Sequence, residues 1–192
     1  MRVSRQKAAE NRERIIDAAG ALFREKGFDG IGVADIMKAA DLTHGGFYGH
    51  FESKDDLAAQ ASERAMAHAA QNWQKLVAAN KAAPYAALLA HYLSPRHRDQ
   101  PGRGCAFAAL SGDAARCGEP VRTAFAKGLE PLIEIVAKTV PGRSKTARRR
   151  KAIAAMAELV GALILARAVG ASALSDEILQ AARGELLRVA AP

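Results

Sequence analysis

Residues 41–57 read DLTHGGFYGHFESKDDL, and the fold turns on how that stretch is divided. Gly45, Gly46 and Gly49 sit between segments with helical patterning, although each Gly inside a helix costs about 1 kcal/mol relative to Ala. Asp41-Leu42-Thr43 breaks the pattern that precedes it, and Asp tolerates the positive φ that a tight turn at position 41 needs. A short helix over His44–His50 is expected next, with Thr43 as its N-cap. Ser53-Lys54-Asp55-Asp56 reads as a capping box opening a long helix that reaches about Asn80. Upstream, Val33, Ile36, Met37 and Ala40 share one helical face. Before them, Ile15, Ile16, Ala19, Leu22 and Phe23 form the apolar stripe of a helix from about Arg5 to Lys26. Gly27 suits a left-handed C-cap, with Phe28 as its hydrophobic contact. Leu42, Phe47 and Phe51 are then expected to pack against Ile16, Phe23 and Ile36, giving a helix-turn-helix.

The composition agrees with helices throughout. The 192-residue chain is rich in Ala and shows no Val/Ile/Thr/Tyr alternation of strand length, so the expected class is all-α. No uncharged apolar run of membrane-spanning length occurs, and MRVSRQKAAENRER lacks the apolar core of a signal peptide. Two cysteines are too few for a disulfide framework and fit a reducing cytoplasm, so no membrane association is expected. The formal charge of +8 invites a nucleic-acid reading, yet residues 1–60 hold nine Lys/Arg against ten Asp/Glu. The excess lies later, notably in KTVPGRSKTARRRK (138–151), where a solvated loop and helix start account for it.

Beyond residue 80, Pro84 suits the first turn of a helix carrying Leu88, Leu89, Tyr92 and Leu93. SPRHRDQPGRG (94–104) reads as a loop from its Pro, Gly and charge. Further helices are expected over Cys105–Ala115, over Glu119–Val140 with a kink at Pro131, over Thr146–Val169 and over Ser175–Val189. Ile153, Met156, Leu159, Val160, Leu163 and Ile164 line one broad apolar face, and Ile178, Leu179, Leu186, Leu187 and Val189 another. Pairing two chains through these last two helices would bury both faces, although part of each must be core within one chain. The boundary between an N-terminal module (1–57) and a helical body (58–192) is expected near residue 57.

The stretch from Arg14 to Leu57, with THGGFYGHFESKDDL as its most specific part, resembles the TetR family of bacterial one-component transcriptional regulators. The resemblance implies an N-terminal three-helix DNA-binding domain followed by a C-terminal helical domain that dimerises and binds a small-molecule effector. It implies double-stranded operator DNA as a partner, bound by a homodimer. Thr43, Tyr48, His50 and Lys54 match family positions that contact phosphate. His44 matches one often occupied by Lys, facing a phosphate or a base edge. Gly45 and Gly46 would let the backbone approach the duplex; the alternative is that they let this helix sit tightly against its neighbours. Gly46 and Gly49 stand where many relatives carry side chains usable for base readout, and Val33 where many carry Thr or Ser. Arg2, Arg5 and Lys7 form a candidate arm along the backbone or minor groove, or a solvated tail.

Cys105 and Cys117, in GRGCAFAALSGDAARC, are candidates for sensing oxidants or electrophiles. Each has an Arg beside it in sequence, and a thiol near a helix N-terminus and an Arg has a lowered pKa; some TetR-like proteins sense such agents. A free Cys is otherwise a small buried hydrophobe. Trp73, Tyr85, Tyr92, Phe107, Phe125 and Met156 are candidates for lining an effector cavity, or else core. No HExxH, GxSxG, Walker A or dinucleotide fingerprint is present, so no catalytic residue, metal or cofactor is expected. The rival reading is a helical thiol enzyme using Cys105 and Cys117, against which stands the lack of a CxxC pair. A third is a helical interaction module whose head no longer reads DNA.

Overall fold

The computed structural model describes residues 5–189. Among them are nine α-helices and two short 3-10 turns, without a strand. α1 (Arg5–Lys26) buries Ile15, Ile16, Ala19, Gly20 and Phe23 on one stripe, as the spacing predicts. Gly27 ends it at φ 77, its N–H donating to Phe23 O at 2.8 Å. Phe28 meets Phe23 edge-on with centroids 5.2 Å apart. Arg2 lies outside the described residues, and Arg5 and Lys7 belong to the first turns of α1 rather than to a separate arm.

α2 (Val33–Ala39) is closed by a Schellman motif. Asp41 takes the left-handed position at φ 54 and donates its N–H to Lys38 O at 3.0 Å, while the Leu42 N–H reaches back to Met37 O at 2.9 Å. Leu42 is half-buried against the core, and Phe47 and Phe51 are fully seated in it. The glycine-rich segment His44–Gly49 is a 3-10 turn rather than an α-helix. Thr43 precedes it in extended backbone, but its hydroxyl caps nothing; the Gly46 N–H bonds to Thr43 O instead, at 3.1 Å. Six residues between a Schellman turn and the next cap leave little room for regular α-helix, and three of them are poor helix formers.

α3 (Lys54–Ala79) opens on Ser53, whose Oγ accepts the Asp56 N–H at 3.0 Å. Asp56 Oδ2 in turn accepts the N–H of Glu52, at 3.2 Å, so the reciprocal bond falls one residue earlier than in a standard capping box. The helix continues unbroken past residue 57 and packs against α1 and α7. α4 (Pro84–Tyr92) has Pro84 at its start and buries Leu88, Leu89 and Tyr92.

The segment 94–104 departs from expectation. It holds a helix, α5 (Pro95–Asp99), and a 3-10 turn (Pro101–Arg103), with Arg98 and Gly102 buried. Its central charge, Arg98, is paired rather than solvated. Arg98 donates to Ser175 Oγ at 2.9 Å and to Asp176 Oδ1 at 2.7 Å. Arg167 donates to the carbonyls of His97 and Arg98 at 2.8 and 3.1 Å. A side chain at Gly102 would collide with Glu25 of α1, so the segment is a strap drawn against the end of α1.

α6 (Ala106–Ala114), α7 (Glu119–Ala137, with Pro131 inside it), α8 (Lys145–Ala168) and α9 (Ala173–Val189) complete the body. Met156, Leu159 and Leu163 of α8, and Leu179 and Leu186 of α9, lie in the core. Ile153, Ile164, Leu165, Leu174 and Leu187 remain exposed on the same helices. The basic run enters α8 behind a Ser144 N-cap, with Arg149 paired to Glu130 at 2.7 Å. Among the described residues, no helix is long and apolar enough to cross a membrane, and no cluster of three or more His, Cys, Asp or Glu could hold a metal ion.

Candidate nucleic-acid interface and effector cavity

The 3-10 turn is anchored from inside and open from outside. Phe47 is completely buried, within 5.6 Å of Phe51 by ring centroid, and Arg12 of α1 lies over the Phe51 ring at 5.1 Å. Arg12 also bonds Gln60 of α3, and Arg64 of α3 reaches Glu13 and Asp17 of α1. The frame of α1, α2 and α3 thereby fixes the turn without using its outer atoms. On the outer side Thr43, His44, Gly45, Tyr48 and Gly49 are exposed, and Gly46 and His50 are half-buried. Tyr48 is 73% exposed and rests edge-on against Phe47 at 5.1 Å. Lys54, at the start of α3, is half-buried, and its side chain has no ion pair or hydrogen bond among the described residues.

Nothing inside the protein requires the glycines of this turn. A Cβ at Gly45 or Gly49 would meet no atom within 4 Å, and one at Gly46 would touch only Met37 Cε, at an ordinary 3.6 Å. None of the three has positive φ. Tight packing against a neighbouring helix is therefore not what these residues provide.

Arg12, Tyr48 and His50 share the rim of a shallow polar depression with Glu52 and Asp56. Arg12 had no signal in the sequence, because it lies on the polar face of α1 and reaches the turn only through the fold. Val33 is half-buried against the core and presents no hydroxyl.

In the body, a cavity of about 430 Å³ opens between α1, α3, α7 and the 91–105 segment. Trp73, Tyr92 and Cys105 line it as expected, joined by Arg24, His68, His91, Arg96, His97 and Arg103. The sequence reading missed these last residues, since four of them lie on or beside the strap read as a loop. Phe107 and Met156 belong to the core instead: Phe107 stacks edge-on with Phe125 at 5.4 Å, and Met156 is buried on α8. Tyr85 lines a separate space of about 100 Å³ with Glu158 and Leu186.

The two cysteines are free and differ in surroundings. Cys105 is buried at the N-cap of α6; its N–H donates to His97 Nε2 at 3.0 Å. That bond makes Nε2 an acceptor, so the proton of His97 sits on Nδ1 and is given to Tyr92 O, 2.8 Å away. Burial, with Arg167 and His91 nearby, pushes the His97 ring down to about 4. Arg24 and Arg167 are the cations whose fields reach Cys105. Cys117 does not carry the lowered pKa expected of it. Burial and the carboxylates of Asp55, Asp29 and Asp113 push its thiol up, and Arg116 is drawn off to Asp113 at 2.6 Å.

Comparison with known proteins agrees with the head and the body alike. The profile described as bacterial regulatory proteins, tetR family, matches residues 15–61. The HTH-type transcriptional repressor NemR of Escherichia coli K12 is 26% identical over 134 residues, spanning 68% of this chain and 67% of its own. The HTH-type transcriptional repressor DhaR of Mycobacterium sp. strain GP1 is 24% identical over 143 residues, 74% of this chain and 72% of its own. In three dimensions, the crystal structure of reduced E. coli NemR superposes with a TM-score of 0.79 at 24% identity, covering 95% of this chain and 97% of that one. The glycine-rich turn, its caps and the helical body thus share one known design: residues 15–61 match the tetR-family profile, the chain has the fold of TetR-family structures, and the comparisons support a TetR-like transcriptional regulator.

Proposed function

We propose that this regulator is a homodimeric repressor that reads a pseudo-palindromic operator through the His44–Gly49 turn and leaves it when an effector occupies the body. Residues 1–57 form the reading head and residues 58–192 the effector-binding and dimerisation body. The observation that carries the reading is the outer face of the turn: exposed, free of side chains at three positions, and under no internal requirement to be so. A backbone bared in this way can come against phosphates and base edges in a major groove. Thr43, Tyr48, His50 and Lys54 are assigned to phosphate contacts and His44 to a phosphate or base edge. With Gly45, Gly46 and Gly49 contributing no side chain, shape and deformability of the site carry much of the specificity.

Dimerisation is assigned to the exposed apolar side of α8 and α9, where Ile164 and Leu165 stand out with 41% and 58% exposure. Two heads about 34 Å apart match successive major grooves on one side of a duplex. An effector that favours a body holding the heads at another spacing weakens binding. Inverting a 99:1 population to 1:99 needs about 5.5 kcal/mol of differential affinity. Selection of bound duplexes from a random pool, followed by footprinting, tests the reading. Two related half-sites and a steep salt dependence are expected; a single unrepeated half-site, or no sequence preference, refutes it.

Cys105 is the candidate for an electrophile or oxidant signal, through its place in the cavity wall and the two arginines whose fields reach it. If Cys105→Ser still responds to every electrophile that releases the wild type, that role is wrong. Peroxide turnover with catalytic recycling by the free protein would instead favour a thiol enzyme.

A further inference from the structure

We infer that the cavity beside Cys105 binds a small organic anion, a carboxylate carried on an apolar body. The inference deepens the effector reading above and rests on it only in naming the ligand an effector. Three arginines and three histidines line the cavity, and no Asp or Glu does. Neither the Arg96 nor the Arg103 side chain has an ion pair or hydrogen bond among the described residues. Arg24 spends two nitrogens on the neutral Gly102 O, and the carboxylate whose field reaches it, Glu25, does not line the cavity. Just behind the wall, Arg167 Nη1 is buried without a partner, while the Tyr92 hydroxyl has only the Cys105 thiol. Buried donors left in this state are costly, and buried cations without counter-charge more so.

Part of the lining is of another kind. Ala65, Ala69 and Trp73 of α3, with Leu132 of α7, add apolar surface to the cavity, beside His68 and Asn72 of the same long helix. At about 430 Å³ the space falls among ordinary small-ligand sites. A carboxylate directed at Arg96 and Arg103, with its hydrocarbon part against Trp73 and Leu132, satisfies both kinds of lining at once. A cation meets only repulsion here, and a neutral ligand leaves the charges as they were.

Trp73 is the chain's single tryptophan, so its emission reports on this cavity alone. Benzoate, 1-naphthoate and octanoate are titrated against the full-length protein, each beside its amide and with benzamidine as the cationic control. Trp73 emission and calorimetry are the readouts. The acids are expected to bind at least about tenfold more tightly than their amides and than benzamidine, with affinity falling as NaCl rises. The double variant Arg96→Gln/Arg103→Gln alters two exposed side chains and should keep the fold while weakening acid binding roughly tenfold. Amides binding as well as acids, no acid binding at millimolar concentration, or an unchanged affinity in the double variant would each overturn the inference. Release of operator is scored separately: an acid that binds without releasing DNA upholds the anion site and removes its assignment as the effector site.

Discussion

Replacing Gly45 and Gly49 together by Ala separates what the turn does for the fold from what it does for DNA. Neither new methyl meets an atom within 4 Å, and neither site has the positive φ found at Gly27 and Gly170. The folded state therefore loses nothing, while the unfolded chain loses conformational freedom, worth about 0.4–1 kcal/mol per site. Two sites sum to roughly 1–2 kcal/mol, and at about 2–4 °C per kcal/mol for a chain of this size Tm should rise by roughly 2–8 °C. On the proposed reading, the same methyls land where the backbone meets phosphate or base. Overpacking a close contact costs about 1–3 kcal/mol, which is about five- to 150-fold in Kd. Thermal melts by circular dichroism and anisotropy titrations on a selected operator duplex measure the two effects on one preparation. A variant that melts higher yet binds operator as the wild type does would refute the close-approach argument. One that melts lower would return the glycines to an internal role.

Tyr48→Phe keeps the ring against Phe47 and removes a hydroxyl that bonds no other residue among those described; Tm should hold while operator Kd rises roughly two- to tenfold, for one lost hydrogen bond. Leu165→Glu places a charge on the exposed apolar side of α8, so light scattering should find monomers, and operator binding should collapse with dimerisation. His97 is held near 4 in the fold against roughly 6.5 unfolded, so between those values the unfolded chain binds the extra proton. Its stabilising contribution is complete above about pH 6.5 and is lost as pH falls toward 4, at most about 3 kcal/mol. Urea titrations at pH 7 and pH 5 should show a steeper loss in the wild type than in His97→Ala.

What could be read from the sequence was set by neighbours in the chain. The α1 stripe, the left-handed Gly27, the strained Asp41 and the Ser53 cap all depend on residues within one or two turns. Each appears where the pattern put it. The short turn did not follow suit, because its 3-10 geometry comes from being clamped between two caps with Phe47 pinned in the core. The 94–104 strap was hidden for the opposite reason. Composition marks it as a loop, and what folds it are partners 69–78 residues away: Arg98 with Ser175 and Asp176, and Arg167 with the strap carbonyls. The cavity was half visible. Trp73 and Tyr92 line it and Phe107 and Met156 do not, since apolar spacing places a residue inside the protein without saying whether it faces atoms or space.

The strap also explains why the cavity and the head can share one equilibrium on the proposed reading. Arg24 belongs to α1, the first helix of the head, yet it lines the cavity and holds Gly102 O of the strap. A few residues on, the Phe28 N–H is held by Asp113 Oδ2 of α6 at 3.1 Å. These contacts tie the end of α1 to the body beside the long helix α3, which serves both parts. Breaking any one of them shifts the balance by about 1–3 kcal/mol, short of the roughly 5.5 kcal/mol that inverts a 99:1 population. A ligand that merely took Arg24 from Gly102 would thus release the head only in part. Full release requires the strap to move as a unit, carrying the carbonyls held by Arg167 and the Arg98 anchor to α9 with it. Arg24→Ala should therefore weaken the response to an effector without abolishing it, whereas Arg98→Ala, which frees the far end of the strap, should uncouple cavity from head while leaving the His44–Gly49 surface intact.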